Sequence, residues 1–272
     1  MIDWRENPVI RRELLFRLRP QPSYRLIMVI TVVLVFIAVA LLYWVALESI
    51  RDYDSYRSLV ALTLVIQTLI VVGGAPAATA NAVSREREQR TWDLLSITLL
   101  KPYEVVLGKL IGRVIPLLLP LLLGAPMMLL SAISNPGMLP AIVLGTLCVV
   151  VTLVFYSAAG LAASCYSRKT VTATALAYLF AGGWVFGTLI LWGLTGLLFP
   201  GVGSREATFW LAVNPFAVIE PIMVKYTPTA YSYPINDTLY VLSPWTLLVV
   251  YAGLTVFLLW VLISTYRHWA YR

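Results

Sequence analysis

The chain has 272 residues, of which 60% are hydrophobic and 12% are charged. The charged share is about half that of a soluble globular domain, and several apolar runs are long enough to cross a bilayer, so the sequence predicts a multi-pass membrane protein. The formal charge of +7 is therefore interpreted through the positive-inside rule and not as a sign of nucleic-acid binding.

The N-terminal residues 3–22 are rich in arginine and predict an amphipathic helix in the membrane interface. Ile10, Leu14 and Leu18 form an apolar stripe at helical spacing, with arginines on the opposite face. Those arginines are expected to contact lipid phosphates. An ordinary basic juxtamembrane tail is the alternative. The charged start and the long first apolar run predict no cleaved signal peptide.

Six apolar runs follow, each of a length that predicts a transmembrane helix. They are residues 26–47, 59–83, 111–133, 138–163, 171–199 and 245–266. In the second run, Gly73, Gly74 and Pro76 stand among small residues, a pattern that favours close helix packing over a substrate site. The fifth run is long enough to tilt, or to break at Gly182–Gly183.

Two connections between these runs are unusual. Residues 84–110 combine a charged group with apolar positions at helical spacing, which predicts short helices at the membrane surface; a solvated charged loop is the alternative. Residues 200–244 are apolar but repeatedly interrupted by proline, which predicts short re-entrant or interfacial helices. The predicted fold is an all-α membrane protein with a single transmembrane domain, residues 1–272.

The distribution of basic residues predicts the orientation. With six spans and both termini in the cytoplasm, sixteen of the 20 lysines and arginines lie on the cytoplasmic side, and four lie outside. This asymmetry is the one that the positive-inside rule describes. Residues 84–110 are therefore predicted to be cytoplasmic and residues 200–244 extracytoplasmic.

Several kinds of chemistry lack their usual residues. No ionisable side chain stands at the centre of a predicted span, which weakens the case for an ion-coupled transporter. Cys148 and Cys165 have neither metal-site nor disulfide-framework spacing, and His268 is expected to be structural or interfacial. Gly108-Lys109 lacks the earlier glycine of a phosphate-binding loop. We expect no metal, no cofactor and no ATP bound by this chain, and no enzymatic activity of its own.

The chain resembles the membrane subunits of type-2 ABC exporters over essentially its whole length. The most specific part follows the second span, where that family commonly has an E-R-E-x-G-T-x-E-x-L-L run, then a T-P pair, and then an E-x-x-x-G-K group with apolar residues after the glutamate. The matching residues here are Ser84, Glu86, Arg87, Glu88, Thr91, Leu94, Leu95, Thr98, Glu104, Gly108 and Lys109. The sequence departs from the family pattern at Arg90 (often glycine), Asp93 (glutamate) and Leu99 (proline), which leaves the subfamily open.

The resemblance implies that residues 84–100 contain a coupling helix, which inserts into a groove of a separate ATPase subunit. The residues that it assigns to this contact are Ser84, Glu86, Arg87, Glu88, Arg90, Thr91, Trp92, Leu94 and Leu95. Of these, the charged side chains would make polar contacts and the apolar ones would pack. Pro102 suits the first turn of the next helix, and Glu104 is favourable near its N-terminus.

The implied function is that of a permease subunit of an ATP-driven exporter in the plasma (inner) membrane. ATP and Mg²⁺ would be bound by the ATP-binding cassette partner, and a second copy or a related permease would complete the translocation path. The path would be lined by spans two and five and closed outside by residues 200–244. Two alternatives stay open: a membrane scaffold or regulatory protein that does not transport, and an ATP-independent lipid scramblase or other membrane enzyme. The cargo is not fixed by the sequence.

Overall fold

The computed structural model describes residues 53–91, 101–122, 124–198, 209–225 and 244–266. Helix accounts for 89% of the described part, and no β-strand occurs in it. The helices are α1 (Tyr53–Ala80), α2 (Ser84–Glu88), α3 (Pro102–Leu122), α4 (Ala125–Ser134), α5 (Leu139–Tyr166), α6 (Thr170–Leu198), α7 (Ile219–Lys225) and α8 (Pro244–Ser264). A 3-10 turn, Pro136–Met138, precedes α5.

Five stretches within these ranges are long and apolar enough to cross a membrane. They contain α1 with α2, α3, the 3-10 turn with α5, α6, and α8. The predicted all-helical, multi-pass class is therefore confirmed. The first predicted span, residues 26–47, and the interfacial helix at residues 3–22 lie outside the described residues.

The third predicted span differs from the structure at both ends. Residues 111–133 were expected to form one helix, but α3 already begins at Pro102 and ends at Leu122, and the short α4 begins at Ala125. Pro126 lies in the first turn of α4, where its missing N–H costs no hydrogen bond. The amide Nε2 of Gln67 donates to the Leu121 carbonyl at 2.8 Å. A side chain of α1 therefore satisfies one of the backbone groups exposed by the break.

The direction of each helix follows from which residues meet. Leu64 lies against Gly145, and Thr79 lies against Gly160, so α1 and α5 run parallel. In contrast, α3 runs antiparallel to α1: Lys109 near its start reaches Ala82, and Leu121 near its end meets Gln67.

The remaining two long helices fit the same arrangement. Thr170 at the start of α6 contacts Glu88, and Tyr178 contacts Gly73, so α6 is antiparallel to α1. Tyr166 and Thr265 meet near the ends of α5 and α8, which makes those two helices parallel. Residues 81–91, the starts of α3 and α6, and the ends of α5 and α8 thus lie at one end of the bundle, which we call the α2 end.

Close helix packing occurs in α1 as predicted, but not at the predicted glycines. A Cβ added at Gly73 would meet nothing within 4 Å, and one at Gly74 would meet only the Leu117 side chain at 3.8 Å. The close approach is made by Gly160 of α5, where a Cβ would stand 3.2 Å from the Pro76 carbonyl oxygen. The fifth predicted span is a continuous helix through Gly182–Gly183.

Residues 209–225 connect α6 to α8 in the chain and lie at the other end of the bundle, where α7 contacts α1 and α5. Asn214 is buried there, and its Nδ2 donates to the Val185 carbonyl at 3.0 Å and to Thr188 Oγ1 at 2.8 Å. Its Oδ1 accepts from the backbone N–H groups of Phe216 and Ala217. Four hydrogen bonds from one side chain therefore attach this connection to α6 and shape its turn.

Replacing Asn214 by alanine is expected to lower the free energy of unfolding by about 2 kcal/mol, because buried donors and acceptors lose their partner. Thr188→Val removes one of these hydrogen bonds and is the matched variant, with an expected cost of about 1 kcal/mol. Reversible unfolding of the purified chain by SDS in mixed micelles measures both values. Equal effects of the two variants would contradict the four-bond description.

Candidate functional site

The short helix α2 is attached to α5 through its first backbone groups. Helix α1 ends at Ala80, three residues form a turn, and α2 begins at Ser84. Ser164 Oγ accepts hydrogen bonds from the N–H groups of Val83 at 2.9 Å and Ser84 at 3.0 Å. The N–H groups at the start of a helix have no partner within it. A buried hydroxyl of α5 supplies that partner here.

Two cations of α3 contact the end of α1 and the start of α2. Lys109, only 1% exposed, forms an ion pair with Glu86, with 2.7 Å between Nζ and Oε1. Its Nζ also donates to the Ala82 carbonyl at 3.1 Å. Arg113, one turn further along, donates to the Ala78 carbonyl at 2.7 Å and to the side-chain oxygen of Asn81. Basic side chains are favourable here because the carbonyl groups at the C-terminal end of a helix form the negative end of its dipole.

The other charged residues of α2 contact α5 and α6. Arg87 Nη1 donates to the carbonyls of Cys165 at 2.8 Å and Ser167 at 3.2 Å, at the C-terminal end of α5. The Glu88 carboxylate accepts from Thr170 twice, from its N–H at 2.8 Å and from its hydroxyl at 2.6 Å. Glu88 is exposed at the α2 end.

We call this set of contacts the α2 clamp. It consists of the Ser164 hydrogen bonds, the Glu86–Lys109 ion pair, the Arg87–carbonyl contacts and the Glu88–Thr170 contact. A helix of five residues is thereby connected to α3, α5 and α6 and, through the chain, to α1. A force applied to α2 would act on α1, α3, α5 and α6, which are four of the five helices long and apolar enough to cross a membrane.

The chain leaves α2 through an unusual residue. Arg90 has φ of 56° and is the non-glycine residue with positive φ in the described part of the chain. The Thr91 N–H bonds to the Glu86 carbonyl, and the Arg90 N–H bonds to the Arg87 carbonyl. This pair of hydrogen bonds defines the Schellman motif, whose left-handed position is usually glycine. Arg90 therefore has a left-handed backbone conformation that glycine adopts more readily.

Arg90→Gly is expected to stabilise the folded chain by about 1 kcal/mol, because an L-residue with a side chain is strained in the left-handed region. Gln89→Gly, at a right-handed position with φ of −83°, is the matched variant and should be neutral or destabilising. Thermal unfolding of both purified variants in one detergent gives the comparison. A destabilised Arg90→Gly chain would show that the arginine side chain contributes more than its backbone strain costs.

The roles predicted for Pro102 and Glu104 at the start of the next helix agree with the structure. Helix α3 begins at Pro102, and the Glu104 carboxylate accepts from the Lys101 N–H at 2.9 Å. Glu104 thus has the role of the acidic residue in a capping box. Among the described residues of the 84–110 segment, the buried ones are Ser84, Val105, Val106, Gly108, Lys109 and Leu110.

The predicted contact residues fall into three groups. Ser84, Glu86, Arg87 and Glu88 have partners within the bundle, and Thr91 closes the end of α2. Arg90 is exposed. Trp92, Leu94 and Leu95 lie outside the described residues. Whether any of them contacts an ATPase subunit stays a prediction.

The structure adds Ser164, Thr170 and Arg113 to this region, and it adds Arg85 as an exposed neighbour. Arg113 had a signal in the sequence, because it stands one turn after Lys109 at the start of an apolar run. Ser164 and Thr170 had none, since a hydroxyl beside a span is common and its partner is 80 or more residues away.

No group of three or more His, Cys, Asp and Glu side chains that could hold a metal ion occurs in the described ranges. Comparison with known proteins adds no identity: no protein-family model matches the chain, and no curated protein matches it. The function is therefore argued from the fold and from the α2 end.

Proposed function

We propose that this chain is the permease subunit of an ATP-driven ABC transporter, with export as the direction of transport. The observation that carries the proposal is the α2 clamp, in which a short helix at one end of a membrane bundle is connected to four membrane-crossing helices. A separate ATPase subunit that moved α2 would move those helices with it. The resemblance to type-2 exporters supports the same reading.

The proposed orientation places the α2 end in the cytoplasm, where an ATPase subunit has access to ATP and Mg²⁺. Eight basic residues of the described chain lie at that end: Arg85, Arg87, Arg90, Lys101, Lys109, Arg113, Arg168 and Lys169. Arg57 and Lys225 lie at the other end. This asymmetry supports a cytoplasmic α2 end in the plasma membrane, with both termini on that side.

The translocation path is proposed to lie between two permease copies, or between this chain and a related permease, along α1 and α6. Helix α6 supports this proposal, because its large apolar side chains are mostly exposed and its buried positions are Ala173, Ala177, Ala181 and Thr188. A path lined this way suits an amphipathic or lipid-like cargo. A transport assay that showed selectivity for a small hydrophilic ion would contradict that cargo.

Purification of the tagged chain from membranes of its own host, in mild detergent, tests the proposal. The expected result is an ATP-binding cassette subunit, identified by mass spectrometry, in an amount similar to that of the chain, together with ATP hydrolysis. A chain that purifies without an ATPase contradicts the permease proposal and favours the scaffold. Lipid scrambling without ATP by that chain in liposomes would favour the scramblase.

A further inference from the structure

Exposed aromatic side chains indicate the depth of the bundle in the membrane. Trp245, in the first turn of α8, is exposed, and the exposed Tyr166 at the end of α5 meets Thr265 Oγ1 through its hydroxyl at 2.8 Å. Thr265 directly follows α8, and the stretch from Trp245 to Thr265 measures about 30 Å at the helical rise per residue. The hydrocarbon core of a bilayer has about the same thickness, and tryptophan and tyrosine are enriched at its two surfaces. Tyr166 therefore lies where the hydrocarbon core meets the headgroups.

Two exposed cations stand just beyond this boundary, in the connection between α5 and α6. The connection consists of residues 167–169, and both Arg168 and Lys169 are exposed. Val171, in the first turn of α6, is 78% exposed, and because contact of an apolar side chain with water is unfavourable, it is expected at the edge of the lipid. Arg168 and Lys169 lie between Tyr166 and Val171 in the chain. They therefore belong to the headgroup layer, which is about 5–8 Å thick.

The contacts of this connection leave it with an excess of positive charge. Arg87 of α2 donates to a carbonyl of the connection at 3.2 Å, which adds a third cation. Glu88 is a neighbouring carboxylate, and its two oxygens accept from the N–H and the hydroxyl of Thr170. These contacts bring three cations together with one carboxylate whose hydrogen bonds are made within the chain. A binding partner of Arg168 and Lys169 is therefore expected to be anionic.

From these observations we infer that Arg168 and Lys169 bind the phosphate of an anionic phospholipid. Arginine matches two phosphate oxygens with its planar guanidinium, and lysine adds a point charge. Basic residues at the membrane surface attract anionic lipids. The acyl chains would follow the exposed apolar side chains of α6, beginning at Val171, whereas a soluble protein would have to enter the headgroup layer to reach both cations. Such a lipid site would serve a permease, a scaffold or a scramblase alike, because the fold and the charges create it.

Native mass spectrometry of the purified full-length chain tests this lipid site. The chain in detergent is titrated with phosphatidylglycerol, and with phosphatidylcholine of the same acyl chains, whose headgroup has no net charge. Arg168→Gln combined with Lys169→Gln is expected to weaken the binding of phosphatidylglycerol about tenfold and to leave that of phosphatidylcholine unchanged. The matched control, Arg57→Gln combined with Lys101→Gln, removes the same charge elsewhere and should have a much smaller effect. Equal losses in the two double variants, or equal binding of the two lipids by the native chain, would overturn the inference.

Thermal unfolding separates the lipid from other anions and from misfolding. Phosphatidylglycerol is expected to raise the Tm of the native chain more than phosphatidylcholine does. Arg168→Lys, which keeps the charge, should retain most of this rise, and the double glutamine variant should lose it while its Tm in phosphatidylcholine stays near the native value. An equal rise with inorganic phosphate would show a site for a free anion instead of a lipid. Unchanged phosphatidylglycerol binding, with loss of a co-purified protein from the double variant, would assign the cations to a protein partner. Either result would overturn the inference.

Discussion

Lys109→Met is expected to lower the free energy of unfolding by about 3 kcal/mol, the lower end of the range for breaking a buried ion pair. The substitution leaves the Glu86 carboxylate, which is 18% exposed, without its cation at 2.7 Å. It also leaves the Ala82 carbonyl without the Nζ donor. Partial exposure of Glu86 places the expected cost at the lower end of that range. SDS unfolding in mixed micelles gives the value.

Two further variants separate the ion pair from the lysine itself. Lys109→Met with Glu86→Met removes both charges and is expected to recover most of the lost stability, because replacement of a whole buried pair by apolar side chains is often neutral. Lys101→Met removes an exposed lysine at the start of the same helix and should change stability by less than about 0.5 kcal/mol. A double variant as unstable as the single one would contradict an interaction between the two charges.

Gly160→Ala is expected to cost about 2–3 kcal/mol, because it overpacks the contact between α1 and α5. The new Cβ would stand 2.1 Å from Thr79 Oγ1 and 3.2 Å from the Pro76 carbonyl oxygen. Thr79 cannot easily rotate away, since its hydroxyl donates to the Ala75 carbonyl at 2.7 Å. The two helices would have to separate along the part that leads to α2. The measurement is again unfolding of the purified chain.

The same substitution at an open site is the control. A Cβ at Gly182 would meet nothing within 4 Å, so Gly182→Ala should be neutral or stabilise the chain by up to about 1 kcal/mol through helix propensity. Gly160→Ala combined with Thr79→Ala removes the closest atom and is expected to regain part of the loss. Equal effects at positions 160 and 182 would contradict the close approach of α1 and α5.

Much of the fold follows from composition and periodicity, because a bilayer imposes helix length directly. Apolar runs predicted the membrane-crossing helices α5, α6 and α8 to within a few residues. The third run was less accurate: α3 begins at Pro102 and a second helix begins at Ala125. Lys109 and Arg113 made its first turns look like a surface segment, yet both are buried because they have partners on α1 and α2.

The sequence singled out the segment that contains α2, but it did not predict the partners of its side chains. The charged group at residues 84–90 indicated a special segment, and a helix does form there. Whether Glu86 faces a partner protein or Lys109 depends on a contact between residues far apart in the chain, which no local pattern encodes. The hydrogen bond from Val83 to Ser164 and the contact of Thr170 with Glu88 also join residues far apart in the chain, so no local pattern predicts them. The prediction of close packing at Gly73 was wrong for a related reason. Gly73 and Gly160 both stand among small residues in the sequence, but of the two only Gly160 has atoms of another helix where an added Cβ would lie.

On the proposed function, α2 and the helix ends around it move as one unit when a partner acts on them. Spin labels at positions 85 and 171, on α2 and the first turn of α6, measure this most directly, because both sites are exposed. In the complex purified through this chain, the distance between the two labels is predicted to be the same without nucleotide and after vanadate trapping, while the distance between α2 and the ATPase subunit's nucleotide site changes. A change in the 85–171 distance on trapping would show that the clamp opens during the cycle and would contradict the claim.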